Sequence, residues 1–330
     1  TATARARQRA MSLNPRPGGA PPSGHHAFTA LVAVLVLIAW VVSFFLQVLV
    51  AIPTLPLLFL SNGKMQFHHW QSLVWRGMNG LLGVVLNPLW SVKVSYFGTN
   101  PGVPKQGSVG SIIFCNHRSN ADPWCTSYVM MISGTEARFI YKSSLKNLPF
   151  GGWCEQLAGG LAVKFGDKDA IVKMLDDARE VLRSGYNIFV FPEGTRSPSG
   201  VLQDFKPSFF QIAAELGCPV VPVCMIGTEK AWPISSGKAG CAKVLAGVGS
   251  PLYSGAGGAE ALSQAVAEKM REMAIDLLEQ ERGPEDEEGV AADGDRDPFL
   301  TGRPYAYWTP PAEIADLSAE EQLRLLKSGK

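Results

Sequence analysis

Residues 31–50, LVAVLVLIAWVVSFFLQVLV, constrain this chain more than any other stretch. Fifteen of the twenty are Leu, Ile, Val or Phe, and the polar side chains are Ser43 and Gln47. At about −0.3 to −0.6 kcal/mol each, the fifteen favour a bilayer by at most roughly 5–9 kcal/mol. Twenty helical residues at about 1.5 Å each also match a hydrocarbon core of about 30 Å. The apolar run continues to Leu60, too long for a soluble core helix or the apolar part of a signal peptide. An integral membrane protein is expected, with residues 27–60 embedded. Pro53 and Pro56 should break the helix, so residues 51–60 read as a re-entrant or interfacial arm rather than a second pass.

Residues 61–90 read as an amphipathic helix in the headgroup region. Trp70, Val74, Met78, Leu81 and Val85 share one face, with Trp75, Arg76 and Trp90 nearby. His68 and His69 are adjacent and diverge on a helix, so no metal site is expected there. Residues 1–26 begin at Thr1 without Met and are rich in Arg, Ala, Pro and Gly; they read as a targeting remnant or a disordered tail.

The formal net charge of +1 hides an asymmetry. Residues 1–121 contain no Asp or Glu, although the chain-average frequency would place about eleven there. Membrane composition explains part of this. The rest leaves a positive front half suited to anionic lipid or an anionic substrate, with no nucleic-acid partner expected. Lys64, Arg76, Lys93 and Lys105 are expected to ring the mouth of the site. Acid returns in EDEEGVAADGDRD (285–297), within a region 283–330 read as an acidic linker and tail with a last short helix near Ser318. The six cysteines form no C-x-x-C pair and read as reduced thiols in a cytosol-like compartment.

From residue 91 the pattern changes to short β-rich runs alternating with amphipathic helices. Strands are expected at 91–97, 110–115, 138–141, 161–165, 187–191, 220–226 and 243–248. Helices are expected at 168–184, capped by Asp167 and ended by Gly185, and at 259–280. Alternating buried strands and helices predict an α/β domain over 91–282: a mixed twisted sheet flanked by helices, with ligands at the strand ends.

Two of those strand ends carry chemistry. The run SIIFC leads into NHRSNADPW, which places His117 and Asp122 five residues apart. That offset leaves side chains about 140° apart on a helix and on opposite faces of a strand, so they meet only if RSNA turns the chain. Asp-Pro suits a helix start, with Asp122 as cap. Asp122 is thus either a cap alone or also the partner of a base. The second strand end, NIFVFPEGTRSPSG, offers Glu193, Gly194, Thr195 and Arg196: close backbone approach at the glycine, a hydroxyl, and a guanidinium fork suited to phosphate. No G-x-S-x-G turn and no clustered metal ligands support a serine or metal-dependent lipid hydrolase. A non-catalytic lipid-binding protein is the remaining alternative, and it leaves His117 and Asp122 without a purpose.

NHRSNAD and FPEGTRS resemble the NH-x4-D and EGTR blocks of the glycerolipid acyltransferases, most closely the lysophosphatidic acid acyltransferases. GCPVVPVCMIGTEKAWP (217–233) resembles that family's fourth block. The resemblance spans about 90–255 with the blocks in order. It implies transfer of a fatty acyl group from acyl-CoA or acyl-carrier protein to the sn-2 hydroxyl of lysophosphatidic acid. The product is phosphatidic acid, formed with no covalent intermediate and no cofactor beyond the acyl donor. His117 becomes the general base and Asp122 its orienting acid. Arg196 holds the acceptor phosphate, and Asn116, Glu193, Gly194 and Thr195 line or shape its pocket. The acceptor could instead be glycerol-3-phosphate or another lysophospholipid. One departure is visible: in GGLAVKFGDKDA (159–170) Phe165 stands where the family usually has Arg, so either a Lys substitutes, Lys164 beside it or Lys168 following, or phosphate binding relies more on Arg196. The compartment implied is the endoplasmic reticulum, with the plastid envelope as the alternative.

Overall fold

A computed structural model describes residues 25–98, 109–234, 239–281 and Glu321. The expectations for residues 1–24, most of the acidic tail and Lys105 lie outside these residues. Helix α1 (His25–Thr54) leads through a 3-10 turn (Leu55–Phe59) into α2 (Gly63–Trp90). There follow β1 (Val92–Phe97), β2 (Ile112–Cys115), α3 (Asp122–Ile132), β3 (Arg138–Lys142) and α4 (Gly151–Leu157). The chain continues with β4 (Leu161–Val163), α5 (Lys168–Arg183), β5 (Ile188–Val190), α6 (Ser208–Leu216), β6 (Val220–Ile226), β7 (Val244–Gly249) and α7 (Gly258–Glu281).

Among the described residues the strands form one seven-stranded mixed sheet in the order β1-β7-β6-β2-β5-β3-β4. Neighbours are parallel except β6 and β7, so β7 and β1 run against the other five. The central strands are apolar on both sides, as expected where helices cover both faces. Alternation divides them: Ile112, Phe114, Ile188, Cys224 and Ile226 face α5, α6 and α7. Ile113, Cys115, Phe189, Val223 and Met225 face α1, α2 and α3. The ends of α5 follow the sequence, with the Asp167 carboxylate accepting the Ala170 N–H at 3.1 Å.

The apolar run folds as expected from where its two polar residues point. Val32, Val36, Ala39, Ser43 and Gln47 form the buried stripe of α1, at spacings of three and four residues. Ser43 donates to the Ala39 carbonyl at 2.6 Å. The Gln47 amide donates to the Gln71 and Cys154 carbonyls at 3.0 and 3.2 Å, joining α1 to α2 and α4. The other faces remain open: the most apolar window of Thr29–Phe59 has a mean hydropathy of 2.7, and 22% of it is buried. Such a long uncovered apolar face in water would be strongly unfavourable, and the segment associates with membrane.

The helix breaks between Pro53 and Pro56, running one residue past the first, to Thr54. Pro53 lies in the last turn, and the Thr54 hydroxyl donates to the Val50 carbonyl at 2.7 Å, so carbonyls there gain a side-chain donor. On α2, Trp70, Leu81 and Val85 are exposed, but Arg76 points inward. Its guanidinium carbon lies 3.8 Å over the Phe139 ring, and it pairs with Glu155, which also accepts the Trp75 indole N–H at 2.6 Å.

Of the four residues expected to ring the site, the three described, Lys64, Arg76 and Lys93, do not gather at its mouth. Lys64 lies in the first turn of α2 next to Met65, whose carbonyl accepts from Arg138 at the N-terminal end of β3, at the opposite end of the sheet from the residues that follow β2. Arg76 is neutralised by Glu155, and Lys93 sits on edge strand β1, three strands from β2.

Candidate active site

The C-terminal ends of the parallel strands β2 and β5 lie side by side, with Phe114 opposite Val190. This register brings the two polar blocks together. His117 follows β2, and its Nδ1 lies 2.6 Å from Asp122 Oδ2. Asp122 is fully buried, while the His117 side chain keeps 18% exposure. With a carboxylate as its partner, Nδ1 is the nitrogen that carries the proton towards Asp122, and Nε2 is the second ring nitrogen.

Asp122 is more than a cap. The same Oδ2 accepts the backbone N–H groups of Arg118 and Ser119 at 2.7 and 2.8 Å, so it closes the preceding turn instead of bonding the first N–H groups of α3. Ala121 occupies the cap position of that helix. One carboxylate therefore shapes the RSNA turn and orients the imidazole.

The second block holds the first in place. Glu193 accepts the His117 N–H at 2.7 Å and the Gln203 N–H at 2.9 Å. The His117 carbonyl accepts the Ser197 N–H at 2.7 Å. Both peptide groups flanking the His117 Cα are thus tied to the 193–203 loop. Burial pushes the Glu193 carboxyl up to about 8, with Asp122 adding to the rise and its two backbone donors and Arg118 opposing it. Gly194 has φ +74°, which lets the loop reverse without strain. Thr195 and Arg196 are exposed, and Arg196 donates to the Asn120 side-chain oxygen, so its fork sits beside the dyad loop.

Asn116 faces away from the site. Its amide donates to the Met225 carbonyl at 2.8 Å and accepts the Met225 N–H at 2.7 Å, pinning β2 to β6. Lys164 follows edge strand β4, three strand spacings, or about 14 Å, from β2. It is paired with Asp167 at 3.0 Å and is not brought to the dyad. Cys115 and Cys125 are buried, and burial pushes both thiols above their usual range, so they act as packing residues.

Several neighbours were not singled out from the sequence. Arg118 and Glu229 form a buried ion pair at 3.2 Å. The Ser119 hydroxyl lies 2.6 and 2.7 Å from the Thr228 and Trp232 carbonyls, which anchors the turn to the segment after β6. Trp124 and Trp232 stack at 5.5 Å. Phe191 stacks on the His117 ring at 3.8 Å. Alternation from Phe189 could have placed Phe191 on the catalytic face, but pairings across the segment after β6 carry no local signal.

Parallel strands of the mixed sheet present a buried acid, a partly exposed histidine and a guanidinium at one end, and part of this α/β domain, residues 102–226, matches the model of the Acyltransferase family. The chain is 29% identical over 199 residues to the chloroplastic 1-acyl-sn-glycerol-3-phosphate acyltransferase LPAT1 of Arabidopsis thaliana, covering 60% of this chain and 52% of that one. It is 30% identical to the chloroplastic enzyme BAT2 of Brassica napus, over 52% of this chain and 46% of the relative. The 1-acyl-sn-glycerol-3-phosphate acyltransferase of Escherichia coli (strain K12) is 29% identical over 44% of this chain and 57% of its own. The chain thus spans about half the length of the curated relatives it matches. The fold is shared with the crystal structure of the 1-acyl-sn-glycerophosphate acyltransferase PlsC from Thermotoga maritima. The TM-score is 0.59 at 24% identity, over 77% of this chain and 97% of that one.

Proposed function

We propose that this chain transfers a fatty acyl group from a thioester donor, acyl-CoA or acyl-carrier protein, to the sn-2 hydroxyl of lysophosphatidic acid, giving phosphatidic acid. The observation that carries the reading is the 2.6 Å contact between His117 Nδ1 and buried Asp122, which leaves Nε2 as the base. Nε2 takes the hydroxyl proton as the oxygen attacks the thioester carbonyl. The tetrahedral intermediate expels the thiolate, which takes that proton back from the imidazolium. Asp122 stays ionised throughout and stabilises the transient charge. No acyl-enzyme is needed.

Arg196 binds the acceptor phosphate, with Gly194 and Thr195 forming the loop beneath it. Glu193 and Asn116 support the site from behind, since their polar atoms already bond the backbone. A role for Lys164 requires a long acceptor reaching across the strand ends. The relatives, named as 1-acyl-sn-glycerol-3-phosphate acyltransferases, support lysophosphatidic acid over glycerol-3-phosphate or another lysophospholipid as acceptor. The two chloroplastic relatives favour the plastid envelope over the endoplasmic reticulum.

The test is radiolabelled acyl transfer by the intact chain in lipid vesicles, against a panel of acceptors and both donor types. His117→Ala should lower turnover by about 10²–10⁴-fold. Wild-type turnover in that variant would sink the dyad mechanism, and transfer to a different acceptor alone would sink the substrate.

A further inference from the structure

His117 makes a second close contact that the dyad does not explain. Its imidazole lies face to face with the Phe191 ring, with centroids 3.8 Å apart and planes 14° apart. Two neutral aromatic rings prefer offset or edge-on arrangements at about 4.5–7 Å, because their negative faces repel. A cation over a ring has the opposite preference and is drawn to the face. The stack therefore suits an imidazolium better than a neutral imidazole.

Phe191 itself has little room to move. Its ring meets Phe189 edge-on at 5.1 Å, and Phe189 stacks on Phe139 at 4.4 Å. The guanidinium of Arg76 lies over Phe139. Three rings thus form a column through the α1/α2 side of the sheet, running from the membrane-associated helices to the dyad.

We propose that Phe191 is a positioning residue for acyl transfer. Asp122 fixes one edge of the imidazole, but a single in-plane hydrogen bond leaves the ring free to rock about that contact. The Phe191 face removes this freedom and aims Nε2. It also favours the imidazolium formed when Nε2 takes the hydroxyl proton, so its contribution is larger in the transition state than in the ground state. The inference rests on His117 being the base. It goes beyond that reading by assigning a role to a residue with no polar atom in the site.

The experiment measures kcat and KM for lysophosphatidic acid and acyl-CoA with the intact chain in detergent micelles. Phe191→Leu keeps an apolar side chain but lacks the ring, and should lower kcat by about 3- to 30-fold while both KM values stay within about twofold. Phe191→Tyr keeps the ring face and should restore most of kcat. If Phe191→Leu lacks the cooperative unfolding transition of the wild type, Phe191→Met replaces it under the same criteria. An unchanged kcat in the ringless variant, or equal losses for Leu and Tyr, overturns the proposal. His117→Ala separates the two readings. Its inactivity beside a silent Phe191→Leu defeats the stacking role alone, while retained activity in His117→Ala defeats the base assignment beneath it.

Discussion

At Asp122 a single oxygen receives the imidazole and two backbone N–H groups, and the turn and the histidine ring are held by the same atom. The spacing of His117 and Asp122 already required a turn between them, and that much was legible in the sequence. The sequence did not reveal that the turn's own N–H groups would converge on the acid, because Asp-Pro reads locally as a helix cap. Glu193 was legible as part of a polar loop but not as a buried brace, since burial depends on the 203 segment folding over it.

Glu193 gives a pH prediction. Its carboxyl rises from an ordinary value of 4.5 to about 8 on folding, so the folded chain holds a proton that the unfolded chain has released between those values. Its stabilising contribution is full below about 4.5 and is lost as pH rises towards about 8. Urea denaturation of the intact chain and of Glu193→Gln, compared at pH 5, 6.5 and 8, should show the difference in stability shrinking as pH rises. A constant difference across that range contradicts a buried protonated carboxyl.

Among elements, the described strands were readable because each is a short run rich in β-branched and aromatic or other apolar residues, bounded by Gly, Pro or polar residues. Helices α4 and α6 were not: α4 begins with two glycines, and α6 is only nine residues long. The contacts between α2 and α4 were equally invisible, because Arg76 and Glu155 are far apart in sequence. Their pair is mostly buried and shares Trp75. Arg76→Met leaves the Glu155 carboxylate with only the indole for support and should destabilise the chain by about 3–5 kcal/mol. The thermal midpoint in detergent is the measurement. A drop of under about 1 kcal/mol would mean that the pair contributes little. Glu155→Gln in the Arg76→Met background should recover part of the loss, because the uncompensated charge is then gone.

For the whole molecule, the decisive partition is between the buried stripe of α1 and its open face. Leu49 and Ile52 are 63% and 65% exposed, and neither belongs to the sheet core. Leu49→Lys with Ile52→Lys should weaken retention on vesicles in a flotation assay, with a cost of up to about 2.5–3.5 kcal/mol for each charge placed at the bilayer centre. The unfolding midpoint in detergent should change little. Equal flotation of the variant and the wild type would place the membrane contact elsewhere on the chain.

The junction between helix and sheet adds a geometric consequence. Trp90 ends α2, Val92 begins β1, and Ser91 alone stands between them, with φ +31°. The Trp90 indole donates to the Gly240 carbonyl at 3.0 Å, and the Leu89 carbonyl accepts the Ala242 N–H at the same distance. There is no slack here for the sheet to bob on a tether. On the proposed reaction, His117 is held at a fixed reach from the membrane-associated helices, and a lipid hydroxyl must come to it. Tolerance for different headgroups then depends on how far each hydroxyl already stands from the membrane, as well as on what the loop around Arg196 can grasp.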